Sequence, residues 1–215
     1  MATETHQADR SSSVPRLSVV GRFRRSRLRV LPWVLGIPVV LAGTAAAVEP
    51  HPSVISQGPA HACAVTVGGA AVCWGNNLAG ELGDGSTQQS NVPVAVNGLA
   101  SGTVAIAAGE SFTCALSEGG AVTCWGSGTA GRLGNGGTDG SLVPTGVTGL
   151  SGGVRAIAVG FEHACALLAT GEVKCWGRND RGQLGNLSIL DSSVPVTAIS
   201  ATTPAVSIAA GADHT

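Results

Sequence analysis

Cysteine, tryptophan and glycine recur along this chain at one fixed interval, and that interval limits the fold more than any other property. Cys63, Cys114 and Cys165 are spaced by 51 residues, as are Cys73, Cys124 and Cys175 and the pairs Trp74-Gly75, Trp125-Gly126 and Trp176-Gly177 that follow them. A period of this length marks an array whose units bury their apolar faces only against one another. Within the middle unit, residues 112–126 read as a short strand, a turn at Gly119-Gly120 and a second strand ending in Trp125. A β-branched run stopped by glycine precedes each hairpin, at residues 53–58, 104–109 and 154–160, and appears again at 206–211. A Gly/Asn loop with one apolar anchor (Leu82, Leu133, Leu184) and a Val-Pro segment follow. Proline in that last segment points to an edge strand, where a missing N–H breaks no ladder.

Four short strands per unit predict an all-β fold, a β-propeller of four-stranded blades. The units run 53–103, 104–154 and 155–205, with the start of a fourth at 206–215. The frame places its next cysteine one residue beyond Thr215. The expectation is therefore either a longer ring of which this is a fragment, or an open arc completed by self-association of blade edges.

The six cysteines form three equal pairs with none left over. A hairpin turning at Gly119 sets Cys114 opposite Cys124, within reach of a disulfide, and Cys63/Cys73 and Cys165/Cys175 repeat the arrangement. Free thiols and a metal site are the alternatives. A metal would need a third ligand from His61 or His163, and the second unit has Phe112 at that position. Alternation along a strand turns Trp74, Trp125 and Trp176 away from the cysteines. One blade face then carries a tryptophan and the other a disulfide, so the three Trp and the three Leu anchors read as inter-blade core rather than as a ligand platform. His61, His163 and His214 share one repeat position and read as buried hydrogen-bonding residues, since no activating partner recurs beside them.

Charge is distributed unevenly. Residues 1–47 hold seven Arg against Glu4 and Asp9, and the remainder holds five basic residues against eleven acidic ones. The basic stretch ending at Arg29, the apolar run 30–48 and the small residues Ala45-Ala46-Ala47 describe a secretory signal cut after Ala47. Arg24-Arg25-Ser26-Arg27-Leu28 loosely resembles a twin-arginine signal. An uncleaved anchor is the alternative, because nineteen residues nearly span a bilayer. Both put the repeats outside the cytoplasm, in the periplasm, at the cell surface or in the medium, after a linker at 48–52. Contact with a membrane is expected only through the uncleaved segment. An acidic repeat region repels phosphate backbones, which argues against nucleic acid as a partner.

The combination Ala-Gly-x-x-His-x-Cys-Ala-Leu, Gly-x-Val-x-Cys-Trp-Gly and Gly-Gln-Leu-Gly, carried here by residues such as Gly160, His163, Cys165, Gly171, Val173, Cys175, Trp176 and Gly182–Gly185, resembles the repeat of the regulator of chromosome condensation family. The likeness is greatest to secreted bacterial relatives with a cysteine pair in each repeat. The resemblance implies a propeller, usually of seven blades. It also implies binding roles that include nucleotide exchange on a small GTPase, chromatin docking and, in one secreted branch, inhibition of β-lactamase.

The residues show no nucleophile elbow, phosphate loop or recurring carboxylate pair. Gly83-Asp84-Gly85 and Gly134-Asn135-Gly136 lack the carboxylates of a calcium loop. No enzyme activity, cofactor or metal is expected. The leading expectation is an exported scaffold that binds a protein or cell-surface macromolecule through its least repetitive loops, at residues 76–81, 86–91, 127–132, 136–141, 178–183 and 186–192. Candidate contact residues there are Asn76, Asn77, Glu81, Arg132, Asp139, Arg178, Asp180 and Arg181. A secreted enzyme inhibitor is the alternative. Guanine-nucleotide exchange ranks below both, since export and acidity suit another compartment.

Overall fold

A computed structural model describes residues 54–215; the signal or anchor at 1–47 and the linker at 48–52 lie outside the described residues. Three four-stranded antiparallel sheets follow one another along the chain. Sheet one comprises β1 (Ile55–Gln57), β2 (His61–Val65), β3 (Ala71–Gly75) and β4 (Ser90–Ala95). Sheet two comprises β5 (Thr103–Ala108), β6 (Phe112–Ser117), β7 (Val122–Gly126) and β8 (Ser141–Gly146). Sheet three comprises β9 (Val154–Val159), β10 (His163–Leu168), β11 (Val173–Gly177) and β12 (Ser192–Ile199). Strand order within each sheet is sequence order, so every connection is a simple reversal. The one helical element among the described residues is a 3₁₀ turn at Thr129–Gly131, and among them no helix is long and apolar enough to cross a membrane. This is the all-β, bladed architecture that the period predicts.

The central hairpin sets the register. In sheet two the chain reverses through Glu118-Gly119-Gly120, where Ser117 N donates to Ala121 O at 2.9 Å and Gly120 adopts φ +77°. A side chain on Gly120 would run into Gly153 N, just ahead of β9, at 2.7 Å, so both turn and neighbour require glycine. The reversal places Cys114 opposite Cys124, and likewise Cys63 opposite Cys73 and Cys165 opposite Cys175. All three pairs are disulfides, with Cα atoms 4.0, 4.1 and 4.1 Å apart. Each closes a short loop and stabilises its hairpin by about 2.5–3 kcal/mol on chain-entropy grounds.

Proline falls on the outermost strands β4, β8 and β12, at Pro93, Pro144 and Pro195. In sheet one the ladder skips from Cys73↔Val94 to Gly75↔Ser90. Pro93 sits in that bulge, where no N–H is called for. The β-branched run at 206–211 forms no strand, contrary to the sequence expectation. A strand needs a hydrogen-bonded ladder partner, and this segment is held instead by isolated bonds such as Arg155 Nη2 to Val206 O (2.9 Å) and Phe161 N to Ala212 O (3.0 Å).

The core lies between sheets. Cys63, Cys73, Val65 and Leu82 of unit one pack with Ile106, Ala115 and Trp125 of unit two. Cys114, Cys124, Leu116 and Leu133 of unit two pack with Ala164, Ala166 and Trp176 of unit three. The disulfide face of one sheet thus receives the tryptophan face of the next. Trp125 and Trp176 are fully buried, while Trp74, on the outer face of sheet one, is only half-buried. Trp125→Ala is expected to cost about 3–5 kcal/mol, a large share of the stability of an ordinary domain. Trp74→Ala should cost well under half of that, and thermal melts of the two variants side by side check the difference.

Candidate functional site

Two kinds of place could carry function: the junctions between sheets and the loops at their rim. At the first junction the Trp125 indole donates to Glu81 O at 2.8 Å, and at the second Trp176 donates to Arg132 O at 3.0 Å. Glu81 and Arg132 share one repeat position, immediately before Leu82-Gly83 and Leu133-Gly134. A Cβ at Gly83 would meet Trp125 Nε1 at 2.6 Å, and one at Gly134 would meet Trp176 Cδ1 at 2.8 Å. The Leu-Gly step is therefore the socket in which the next indole lies.

This placement removes two of the eight loop candidates from the surface. Glu81 is fully buried; its Oε1 accepts from Asn76 Nδ2 and its Oε2 from Ala79 N. Arg132 is buried too, its guanidinium 5.8 Å from the Phe112 ring centroid and paired with Glu162. A third candidate, Asn77, is also buried, and its amide ties the rim loop together. Its Nδ2 donates to Ser86 O and Gln88 O at 3.1 and 3.0 Å, and its Oδ1 accepts from Leu82 N at 2.9 Å. Asn179 does the same in sheet three, with Ser188 O, Leu190 O and Leu184 N at 2.9, 3.0 and 3.0 Å. Sequence reading missed Asn179; its signal was the match to Asn77 two periods earlier.

Asp139, Arg178, Asp180 and Arg181 are exposed, and Asn76 is intermediate. Arg178 bridges Glu162 and Asp180, and Glu162 also takes Arg132. Burial opposes ionisation of Glu162, but the hydrogen bonds and charges of Arg178 and Arg132 outweigh it and hold the carboxyl below its usual range. Arg181 reaches Asp213 at 3.5 Å. The structure thus joins Arg178, Asp180 and Arg181 into one charged rim on sheet three, with Asp139 apart on sheet two.

Beside that rim lies a group absent from the candidate residues. Leu187, Ile189 and Leu190 are 107%, 69% and 75% exposed. They stand where sheet one has Gly85, Thr87 and Gln88 and sheet two has Gly136, Thr138 and Asp139. Leu187 adopts φ +60°, the left-handed conformation that Gly85 (+83°) and Gly136 (+91°) adopt freely. A leucine there costs about 1–2 kcal/mol. The sequence signal was the departure of one copy from the other two.

His61 and His163 belong to the junctions, whereas His214, at the same repeat position, is exposed, contrary to the sequence expectation. His61 Nε2 lies 2.9 Å from Thr113 Oγ1, and His163 Nε2 lies 2.8 Å from Thr215 Oγ1. Both Nδ1 atoms are buried without a protein partner among the described residues. Burial lowers the pKa of both rings below 6.5, against an opposing pull from Glu81 on His61 and from Asp213 on His163. Among the described residues, no three His, Cys, Asp or Glu side chains converge on one point.

Profiles of the regulator of chromosome condensation (RCC1) repeat match residues 68–116, 119–167 and 170–215, and a second profile of that repeat matches 103–132 and 154–183. The first two windows each open at a hairpin turn and close in the second strand of the next sheet. The E3 ubiquitin-protein ligase HERC2 of Homo sapiens is 35% identical over 136 residues, covering 61% of this chain and 3% of its own. The ultraviolet-B receptor UVR8 of Arabidopsis thaliana is 34% identical over 143 residues, covering 66% and 32%. Human WBSCR16 superposes with a TM-score of 0.64 at 28% identity, covering 74% of this chain and 42% of its own. Yeast RCC1 (Prp20), solved bound to Kap60, gives 0.60 at 21% identity, covering 74% and 39%, a likeness of fold. The chain spans less than half the length of these relatives.

Asn179→Ala should cost about 2–3 kcal/mol, since it leaves the Leu184 N–H and two loop carbonyls without their partner. Arg178→Ala, which breaks only exposed pairs, should leave stability nearly unchanged; chemical denaturation of both checks the contrast. With folded-state pKa values lowered below 6.5, the unfolded chain takes up protons first. The histidine contribution to stability is intact above that pH and lost as pH falls through the lowered folded values. Melting temperature should therefore drop as pH falls below about 6.5. A variant combining His61→Phe, Thr113→Ala, His163→Phe and Thr215→Ala should flatten that drop.

Proposed function

Because this chain belongs to the regulator of chromosome condensation repeat family, we propose that it is an exported, non-enzymatic propeller segment that binds a partner protein through the loop rim of its third sheet. The observation that carries the reading is the trio Leu187, Ile189 and Leu190. They pack on little within their own sheet, and one of them strains the backbone to be there. The loops of sheets one and two fold without apolar residues at those positions. Thr87, Gln88, Thr138 and Asp139 also stay exposed although another sheet stacks beside them. By the same geometry a further sheet would leave Ile189 and Leu190 free.

Asn179 fixes the loop from beneath, so the aliphatic group is presented already ordered and little freedom is lost on docking. Exposed aliphatic clusters rimmed by charge mark contact sites. The acidic repeat region disfavours anionic lipid as the occupant. Export is supported by the three disulfides, which persist in an oxidising compartment. The same argument disfavours nucleotide exchange on a cytosolic GTPase. If the partner is a secreted hydrolase, the loop would serve the inhibitor role, and titration against purified hydrolases distinguishes that case.

Replacing residues 187–190 with the sequence of the second sheet's loop (Leu187→Gly, Ser188→Gly, Ile189→Thr, Leu190→Asp) tests the reading. Melting temperature should hold or rise, because a strained leucine becomes glycine. Capture of the partner from the periplasmic or medium fraction should fall at least tenfold. Unchanged capture would refute the assignment, and reduced thiols in protein recovered from the native host would refute export.

A further inference from the structure

Beside the indole contacts, each junction between sheets, and the packing of residues 206–215 on sheet three, carries one further side-chain pair, and its chemistry alternates along the chain. At the first junction Thr113 donates its hydroxyl proton to Glu81 O at 3.0 Å. Its oxygen therefore accepts from His61 Nε2 at 2.9 Å, and the ring carries its proton on that atom. At the same places in the second junction stand Phe112 and Ala164, both buried in one apolar cluster. The third junction returns to the polar form, His163 with Thr215. The donor residue lies on the disulfide face of one sheet and the receiver on the tryptophan face of the next. One mixed pairing is costly: a histidine set over alanine would bury an N–H with no acceptor.

Sheet one carries the receiving half on its outer face, and there it is Ala62. That face is lined by Ile55, Gln57, Ala62 and the half-buried Trp74. We infer that this face docks another sheet of the same repeat type, and that Ala62 selects one carrying an apolar ring, as Phe112 does, rather than a histidine. The docked sheet would offer Trp74 the carbonyl ahead of its own Leu-Gly step, as Glu81 and Arg132 do for the other two indoles. A second copy of this chain is a poor occupant. It would bring His163 of its third sheet, or His214 beyond it, against Ala62. The pair thus acts as a rule for which sheet stacks on which, by refusing the mismatched combination.

The test adds one repeat to the full chain. A copy of residues 104–154, which carries Phe112, is placed immediately ahead of residue 53, in frame with the array. The same copy with Phe112→His forms a second fusion, and each is made with Ala62 and with Ala62→Thr. Hydroxyl-radical labelling of Trp74, read by peptide mass spectrometry, reports stacking, and labelling of Trp176 reports that the rest is folded. The Phe copy on Ala62 and the His copy on the Ala62→Thr chain should each slow Trp74 labelling roughly tenfold or more, the scale set by one buried unpaired donor. The His copy on Ala62 should leave Trp74 as reactive as in the parent chain. Equal protection by both copies on Ala62, or protection in none of the four, overturns the inference. A second arm needs no fusion: in the parent chain Phe112→His alone should expose Trp176, and adding Ala164→Thr should restore its protection. Failure of that rescue also overturns the rule.

Discussion

The structure depends on one contact, an indole N–H held by a main-chain carbonyl of the preceding unit. A sheet made largely of alanine and valine has too little side-chain volume to form a core alone, and Trp125 and Trp176 supply that volume from next door. The hydrogen bond orients the ring, and the Leu-Gly step leaves room for it. The disulfide lies beneath the same ring and keeps the opposing hairpin in register. Stability is thus a property of neighbours more than of single sheets, as in other linear arrays.

Because the carbonyl does the holding, the side chain at that position is free to differ. It is Glu81 in the first unit, Arg132 in the second and Gln183 in the third. Each is buried and satisfied locally in its own way, by Asn76 and Ala79, by Thr129 and Glu162, and by Arg181 N and Asp180. Variation at a repeat position therefore does not by itself mark a recognition surface. The rim residues that vary outward are those whose backbone Asn77 and Asn179 hold from within.

Much of the fold was legible because it repeats. Equal spacing of Cys, Trp and Leu gave the unit, Gly119-Gly120 gave the reversal, and proline marked the outer strands. The site was less legible, for a physical reason. Asn77, Glu81 and Arg132 are polar residues in glycine-rich segments, which ordinarily means exposure; here Asn77 and Glu81 are buried because their own loop folds around them, and Arg132 because the fold brings Glu162 to it from the next unit. The pairing of His61 with Thr113 spans 52 residues and shows only when a whole period is overlaid on the next. Leu187, Ile189 and Leu190 lay inside a segment expected to bind, yet charged residues drew the attention that the break in pattern should have drawn.

Every cross-link in the array joins cysteines ten residues apart in sequence, inside one hairpin. No disulfide reaches from one unit to another. Duplication or loss of a whole unit during evolution therefore leaves no orphaned thiol, and the redox chemistry of the chain is indifferent to copy number. Arrays of this kind can lengthen or shorten by recombination between repeats while each surviving hairpin oxidises as before.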